Sequence, residues 1–163
     1  MRVTKNNDNP INEQKIIDTI RMLGIDMIDN AKSGHPGIVL DAAPIIYTIY
    51  AHHLKFDPSN PNFYNRDRFI LSAGHASSLL YATLFMAGFD IELDDLKSFR
   101  QLDSLTPGHP EYNKTPGVDM STGPLGEGFA SAVGMAMGQK HTNALLHSKE
   151  DVVDYKTYVL CSD

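Results

Sequence analysis

Two short apolar segments constrain most strongly how this chain can fold. Residues 68–72 (RFILS) and 156–161 (KTYVLC) are short, largely apolar runs bounded by turn-forming residues, and such runs are typical of buried β-strands. Segments with helical spacing separate them, and helices that alternate with short apolar strands are typical of α/β domains with parallel sheets. We therefore predict an α/β fold in which a parallel sheet is flanked by helices.

Helical patterns surround the two strands. The first predicted helix begins near Asn12 and ends at residues 33–37 (SGHPG), and its apolar positions recur at helical spacing: Ile16, Ile20, Leu23 and Met27. The second uses Asp41 as its N-cap and accepts Pro44 in its first turn. The others cover residues 77–86, 94–101 and 129–146. Residues 102–126 form one long loop with four prolines, and a loop of that length in a compact domain is usually functional or disordered.

Three of the seven histidines directly follow a glycine, namely His35, His75 and His109. With 7 His and 12 Gly in 163 residues, chance pairing would give roughly half of one such dipeptide. Histidine can carry or accept a proton near neutral pH, and glycine lets the backbone turn sharply and approach a ligand closely. His75 also follows the first predicted strand, and parallel sheets bind ligands beyond the carboxyl ends of their strands. The pattern predicts one polar pocket built from three loops.

Composition argues against two classes of partner. The chain has 14 Lys and Arg against 20 Asp and Glu, a net charge of −6, and no basic run, so we expect no nucleic-acid binding. No apolar stretch approaches the roughly 18 residues of a membrane span, so we expect no membrane association. The single cysteine, Cys161, fits a reducing compartment, and the polar start Met1–Asn9 lacks the apolar core of a signal peptide. We therefore expect a cytoplasmic protein.

Four separated motifs together resemble one enzyme family. They are residues 32–37 (KSGHPG), 71–76 (LSAGHA), 106–111 (TPGHPE) and 121–128 (STGPLGEG). In this order and at these separations they resemble the amino-terminal part of transketolase, the thiamine-diphosphate enzyme that moves a two-carbon ketol unit between sugar phosphates. The resemblance implies that residues 1–163 are the amino-terminal portion of the transketolase diphosphate-binding domain. We therefore expect an incomplete thiamine-diphosphate-binding fold and a chain that is a fragment of a longer protein.

The resemblance implies a role for each of the three histidines. His75 matches the family histidine that helps to hold the cofactor's diphosphate, and an imidazole N–H can donate to a phosphate oxygen. His35 and His109 match positions that face the donor sugar, where family members use histidine to bind hydroxyl groups and to assist proton transfer. His35 and His109 are thus expected to be catalytic, and His75 to bind the cofactor.

Further site residues also follow from the resemblance. Gly123, Pro124 and Leu125 match the family segment in which a backbone carbonyl and a leucine side chain bracket the cofactor's rings. Asp163 matches the family's magnesium ligand, although Ser162 stands where the family usually has glycine. The implied cofactors are thiamine diphosphate and Mg²⁺, for which Ca²⁺ or another divalent ion can substitute.

Several other residues keep a structural interpretation. Arg66 and Asp67 are expected to pair in a solvated loop, and Cys161 is expected to pack in the second strand rather than to act as a nucleophile. Arg100 stands where the family has arginine, but a solvated helix end explains it equally well. The small residues of the last helix would let it pack closely against a neighbour: Ala130, Ala132, Gly134, Ala136 and Gly138.

The implied function is that of transketolase. The intact enzyme would transfer a two-carbon unit from a ketose phosphate, such as xylulose 5-phosphate, to an aldose phosphate, such as ribose 5-phosphate, in the pentose phosphate pathway. Its expected partners are sugar phosphates and a second copy in a homodimer, and the chain alone is expected to be inactive. Two alternatives stay open: dihydroxyacetone synthase, which shares the scaffold but accepts formaldehyde, and a non-catalytic truncated module.

Overall fold

Residues 12–146 and 152–162 are described by the structure, a computed structural model, and contain five α-helices and two strands. The helices are α1 (Glu13–Ala31), α2 (Pro36–Thr48), α3 (Ser77–Ala87), α4 (Leu93–Lys97) and α5 (Glu127–Leu145). The strands are β1 (Arg68–Leu71) and β2 (Thr157–Leu160); a π-helical turn (Ile49–His53) extends α2, and a 3₁₀ turn (Gly74–Ala76) precedes α3. The strands pair in parallel, with Arg68 opposite Thr157 and Leu71 opposite Leu160. The predicted α/β fold is confirmed.

The first helix begins where the sequence predicts. The Asn12 side-chain oxygen accepts a hydrogen bond from the N–H of Lys15 (3.0 Å), which satisfies one of the free donors of the first turn. Ile20 and Met27 bury the face that packs against α2 and α3. At Lys32 the backbone becomes left-handed (φ 50°), so the chain turns sharply where the first glycine-histidine motif begins.

The second helix begins earlier than predicted. His35 is the N-cap residue, so the expected cap at Asp41 is wrong. Pro36 occupies the first helical position, where its missing N–H costs nothing because that group has no partner within a helix. The first histidine motif therefore contains both the turn that follows α1 and the first residues of α2.

Pro44 consequently lies inside α2 rather than in its first turn. A proline there cannot donate to the carbonyl four residues earlier, which belongs to Leu40. Arg21 of α1 replaces the missing donor, because its Nε donates to the Leu40 oxygen at 2.9 Å. A contact from another helix thus makes the interior proline tolerable.

The helix α3 lies at the centre of the fold. Every residue from Ser77 to Leu84 is buried, and both α1 and α2 pack against this helix. It follows β1 through the turn that carries Gly74 and His75. The second histidine is therefore held between a buried strand and a buried helix.

A buried ion pair anchors the long loop between α4 and α5. The carboxylate of Asp119 contacts the guanidinium of Arg66 and accepts a hydrogen bond from the N–H of Phe69 (2.7 Å). The expected pairing of Arg66 with Asp67 is wrong, because both oxygens of Asp67 accept backbone N–H groups instead. Since the Arg66 and Asp119 side chains are only 12% and 4% exposed, the pair fastens the loop firmly to the start of β1.

The second strand is less buried than the sequence predicts. All four residues of β2 are half-buried and Cys161 is exposed, so the interpretation of Cys161 as buried packing is wrong. Within the described residues β2 pairs only with β1, which leaves its other edge open.

The expected metal ligand Asp163 lies outside the described residues. None of the helices described is long and apolar enough to cross a membrane.

Candidate active site

Each glycine-histidine pair forms a corner of the chain: the first is Gly34-His35, the second Gly74-His75 and the third Gly108-His109. The three corners converge beyond the carboxyl end of β1. The ring centroids of His35 and His75 are 4.8 Å apart, and His109 is close enough for its charge to act on His75. Gly123 lies beside the third imidazole: a Cβ at this glycine would be 3.9 Å from Cδ2 of His109. The structure thus brings together the residues that the sequence grouped, while their chemical roles stay predictions.

Close backbone contact explains the glycine before His75. A Cβ on Gly74 would lie 2.8 Å from both the carbonyl carbon and the carbonyl oxygen of Thr122, so a larger residue cannot fit without moving the backbone. The N–H of Thr122 in turn donates to the carbonyl of Pro110 (3.1 Å), which follows His109 directly. The second corner, the third corner and the Thr122 segment therefore form one rigid unit.

Two hydroxyl groups of α3 hold the third corner by its backbone. Ser77 Oγ donates to the carbonyl of Gly108 (2.7 Å), and the Tyr81 hydroxyl lies 3.0 Å from the Pro107 oxygen and 3.1 Å from the His109 oxygen. Burial raises the pKa of the Tyr81 phenol, so it stays protonated and can donate. Sequence reasoning missed Ser77 and Tyr81. Their signal was present, because two hydroxyl residues four positions apart share one face of a largely apolar helix.

The electrostatics of the cluster favour an anionic ligand. His75 is half-buried, whereas His35 and His109 are exposed. Burial lowers the pKa of His75, and the charges of the other two imidazoles lower it further. An anion bound against these rings would offset both effects. The cluster therefore suits a ligand that carries negative charge.

The donors available here fit a diphosphate. Thr122 Oγ1 is buried and has no hydrogen-bond partner in the described part of the chain. A buried hydroxyl without a partner costs free energy, so a ligand oxygen that accepts from it would be stabilised. Imidazole N–H groups and a hydroxyl are suitable donors to phosphate oxygens. His75 and Thr122 are thus the residues that could hold such a group.

The residues after Thr122 present a less polar surface beside the histidines. Gly123 is half-buried, whereas Pro124 and Leu125 are exposed, and Leu125, two residues before α5 begins, keeps 75% of its surface accessible. An exposed leucine next to a glycine can contact the face of a flat ring.

As for metals, residues 12–146 and 152–162 contain no group of three or more His, Cys, Asp or Glu that could hold an ion.

Several known proteins resemble this chain in sequence and structure. Residues 12–163 match the family described as transketolase, thiamine diphosphate binding domain. Transketolases of Aquifex aeolicus and Geobacillus stearothermophilus are 55% and 53% identical over 152 residues, which is 93% of this chain. Transketolase from Leishmania mexicana has a TM-score of 0.91 and 43% identity over 95% of this chain and 23% of its own. Transketolase from Pichia stipitis, in complex with sedoheptulose 7-phosphate, has a TM-score of 0.88 and 45% identity over 93% of this chain and 22% of its own. The chain spans only 22–23% of the length of the two bacterial relatives.

Proposed function

Because this chain belongs to the transketolase family and matches its thiamine diphosphate-binding domain, we propose that it forms the diphosphate side of a transketolase active site. The proposed reaction transfers a two-carbon ketol unit from a ketose phosphate such as xylulose 5-phosphate to an aldose phosphate such as ribose 5-phosphate. The observation that carries the proposal is the convergence of three glycine-histidine corners, with the rings of His35 and His75 4.8 Å apart. Bound thiamine diphosphate would supply the carbon nucleophile and the electron sink, which no side chain provides.

The described residues divide between holding the cofactor and handling the sugar. His75 and Thr122 would donate hydrogen bonds to diphosphate oxygens. His35 and His109, whose side chains are exposed, would bind sugar hydroxyls and hold or move a proton at an imidazole nitrogen. Leu125 would cover one face of the cofactor's rings and keep water away from the reacting carbon.

The same proposal includes a divalent ion, a second subunit and a place in the cell. Asp163 would help to hold Mg²⁺, or Ca²⁺ in its place, because hard cations prefer oxygen ligands. Exposed apolar residues on α5, among them Phe129, Val133 and Met137, support a homodimer because they offer a face that a second copy would cover. The enzyme would act in the pentose phosphate pathway in the cytoplasm.

Two histidine variants of the intact enzyme test the proposal. His109→Ala should lower turnover on the order of 10²- to 10⁴-fold at saturating thiamine diphosphate, because it removes a proton-handling group. His75→Ala should mainly weaken cofactor binding, and excess cofactor should restore part of the activity. His53→Ala, an exposed histidine outside the site, serves as the control.

A coupled assay measures turnover with xylulose 5-phosphate as donor and ribose 5-phosphate as acceptor. Unchanged turnover in His109→Ala, together with a collapse of cofactor affinity, would contradict the assigned roles. Formaldehyde as a second acceptor separates transketolase from dihydroxyacetone synthase. Preference for formaldehyde over ribose 5-phosphate would favour the latter enzyme.

A further inference from the structure

Arg100 lies between two of the three histidine corners. Its Nη1 donates to Ser33 Oγ at 2.5 Å, two residues before His35. The Arg100 side chain also lies beside Gly108, where a Cβ would be 3.4 Å from Arg100 Nε, and Gly108 directly precedes His109. One side chain therefore contacts both loops that carry the exposed histidines.

The backbone of Arg100 is held in an unusual conformation. Its φ of 62° lies in the left-handed region that residues other than glycine rarely adopt. Its N–H donates to the carbonyl of Thr106 (3.0 Å), and the preceding Phe99 is buried with its ring edge-on to Tyr81 at 6.2 Å. A strained residue that is fixed from several sides is a feature of functional sites, where the direction of its side chain matters.

Arg100 is not a solvated helix end, the alternative that the sequence left open. Helix α4 ends at Lys97, three residues earlier, and Arg100 is only half-exposed. Its Nε is buried with no hydrogen-bond partner among the described residues, and its guanidinium lies over the Phe99 ring at 5.4 Å from the centroid. The side chain is thus in contact with Ser33 and the Phe99 ring and is only partly open to solvent.

We propose that Arg100 is a positioning residue that fixes the separation of His35 and His109. The proposal rests on the proposed function, because it takes these two histidines to face the sugar. A planar guanidinium that is bonded to Ser33, on a side chain that lies beside Gly108, is a rigid spacer, which a flexible lysine would not replace. The contacts that hold His75 and Thr122 do not include Arg100: Gly74 lies against Thr122, and the hydroxyls of Ser77 and Tyr81 keep the backbone of the third corner on α3. Loss of Arg100 therefore lowers turnover while cofactor affinity stays unchanged.

Three variants of the intact enzyme test this role. Arg100→Gly removes the spacer but suits the left-handed backbone, and it should lower kcat about 10- to 100-fold with an unchanged Kd for thiamine diphosphate. Ser33→Ala removes only the hydrogen-bond acceptor and should lower kcat about 10-fold. The double variant should be no worse than Arg100→Gly alone, because both changes remove one interaction. Asp103→Gly is the control, since Asp103 is also left-handed (φ 61°) and is exposed.

Hydrogen exchange provides a readout that does not depend on activity. Backbone amides in residues 33–37 and 106–110 should exchange faster in Arg100→Gly than in wild type or Asp103→Gly, while those around His75 keep their rates. Wild-type kcat and wild-type exchange in Ser33→Ala or Arg100→Gly would overturn the proposal. A wild-type enzyme without transketolase activity would contradict the proposed function instead, and exchange in the two loops would still decide the role of Arg100.

Discussion

Replacing Gly74 by alanine tests whether the second histidine corner and the Thr122 segment form one rigid unit. The added Cβ would lie 2.8 Å from the carbonyl carbon and oxygen of Thr122 and 2.9 Å from its hydroxyl oxygen. Real Cβ atoms essentially never approach other atoms so closely. Because the nearest atoms belong to the backbone, no side-chain rotation can relieve the contact.

The cost follows from how far the two segments must separate. An ordinary contact begins at 3.4 Å, so the backbone must open by about 0.6 Å. Thr122 cannot move alone, because its N–H is bonded to Pro110 and because Gly128, six residues on, packs against Ser72 with its Cβ position only 2.9 Å from the Ser72 Cα. Overpacking of this kind costs about 1–3 kcal/mol, and we expect a value in the upper half of that range.

Urea unfolding at 25 °C measures this loss. Gly74→Ala should lower the midpoint at an unchanged m-value, since the surface exposed on unfolding stays the same. Gly37→Ala is the matched control, because a Cβ there meets nothing within 4 Å in the described residues and Gly37 lies in the first turn of α2. Alanine has the higher helix propensity, so the control should be as stable as wild type or gain up to about 1 kcal/mol.

The same change should weaken cofactor binding in the intact enzyme. Separating the two segments moves Thr122 Oγ1 and Gly123 away from His75, so the dissociation constant of thiamine diphosphate should rise even where the protein is fully folded. Wild-type stability together with wild-type cofactor affinity in Gly74→Ala would refute the reasoning. It would mean that the contact yields easily and that the glycine is not required there.

Three further predictions concern proton uptake, a buried charge and the exposed helix. The pKa of His75 is lowered in the folded protein, so the protein loses stability as the pH falls from about 6.5 through the folded-state pKa. A bound anion should raise the pKa of His75 again. Calorimetry of thiamine diphosphate binding in two buffers of different ionisation enthalpy should show proton uptake on the acid side of the ordinary histidine pKa, and His75→Gln should abolish it. Asp119→Asn should lower the free energy of unfolding by about 3–5 kcal/mol in chemical denaturation, because Arg66 keeps a buried charge without a counter-charge. The control Asp29→Asn, in an exposed pair, should lower it by less than about 1 kcal/mol. Equal losses in the two variants would contradict this prediction. Gly134→Ala should raise the melting temperature of the chain, because alanine favours the helix and its Cβ meets nothing within 4 Å in the described residues. In the intact enzyme it should weaken the proposed homodimer in sedimentation analysis, and unchanged sedimentation would place the proposed subunit interface elsewhere.

The parts of the fold that the sequence predicts well are those in which local signals agree with the surrounding structure. The apolar runs that became β1 and β2 are bounded by turn residues, and they pair in parallel as the intervening helices require. Asn12 caps α1 through its own side chain, so its effect can be seen within three residues of sequence. In such places a local pattern is sufficient.

Prediction failed where a partner far along the chain decides the outcome. Asp41 is a good N-cap residue by type, but Arg21 supports the carbonyl of Leu40 and so allows Pro44 inside a longer helix. Arg66 and Asp67 are adjacent charges, yet Arg66 pairs with Asp119 more than fifty residues later. Such a pairing depends on how the loop between α4 and α5 folds back onto β1. Patterns of neighbouring residues carry no information about that path.

The contacts that hold the third corner allow the chemistry of the His109 imidazole to be tested separately from the position of its loop. Ser77 and Tyr81 contact the carbonyls of residues 107–109 and not the imidazole of His109, so the loop should keep its position when that side chain is removed. His109→Ala therefore changes the chemistry of the site with little change in its shape. Gly74→Ala does the reverse, because it leaves every donor present and moves the segment that carries Thr122. If turnover depends on imidazole chemistry, the first variant should lose activity at any cofactor concentration, whereas the second should recover as cofactor is added.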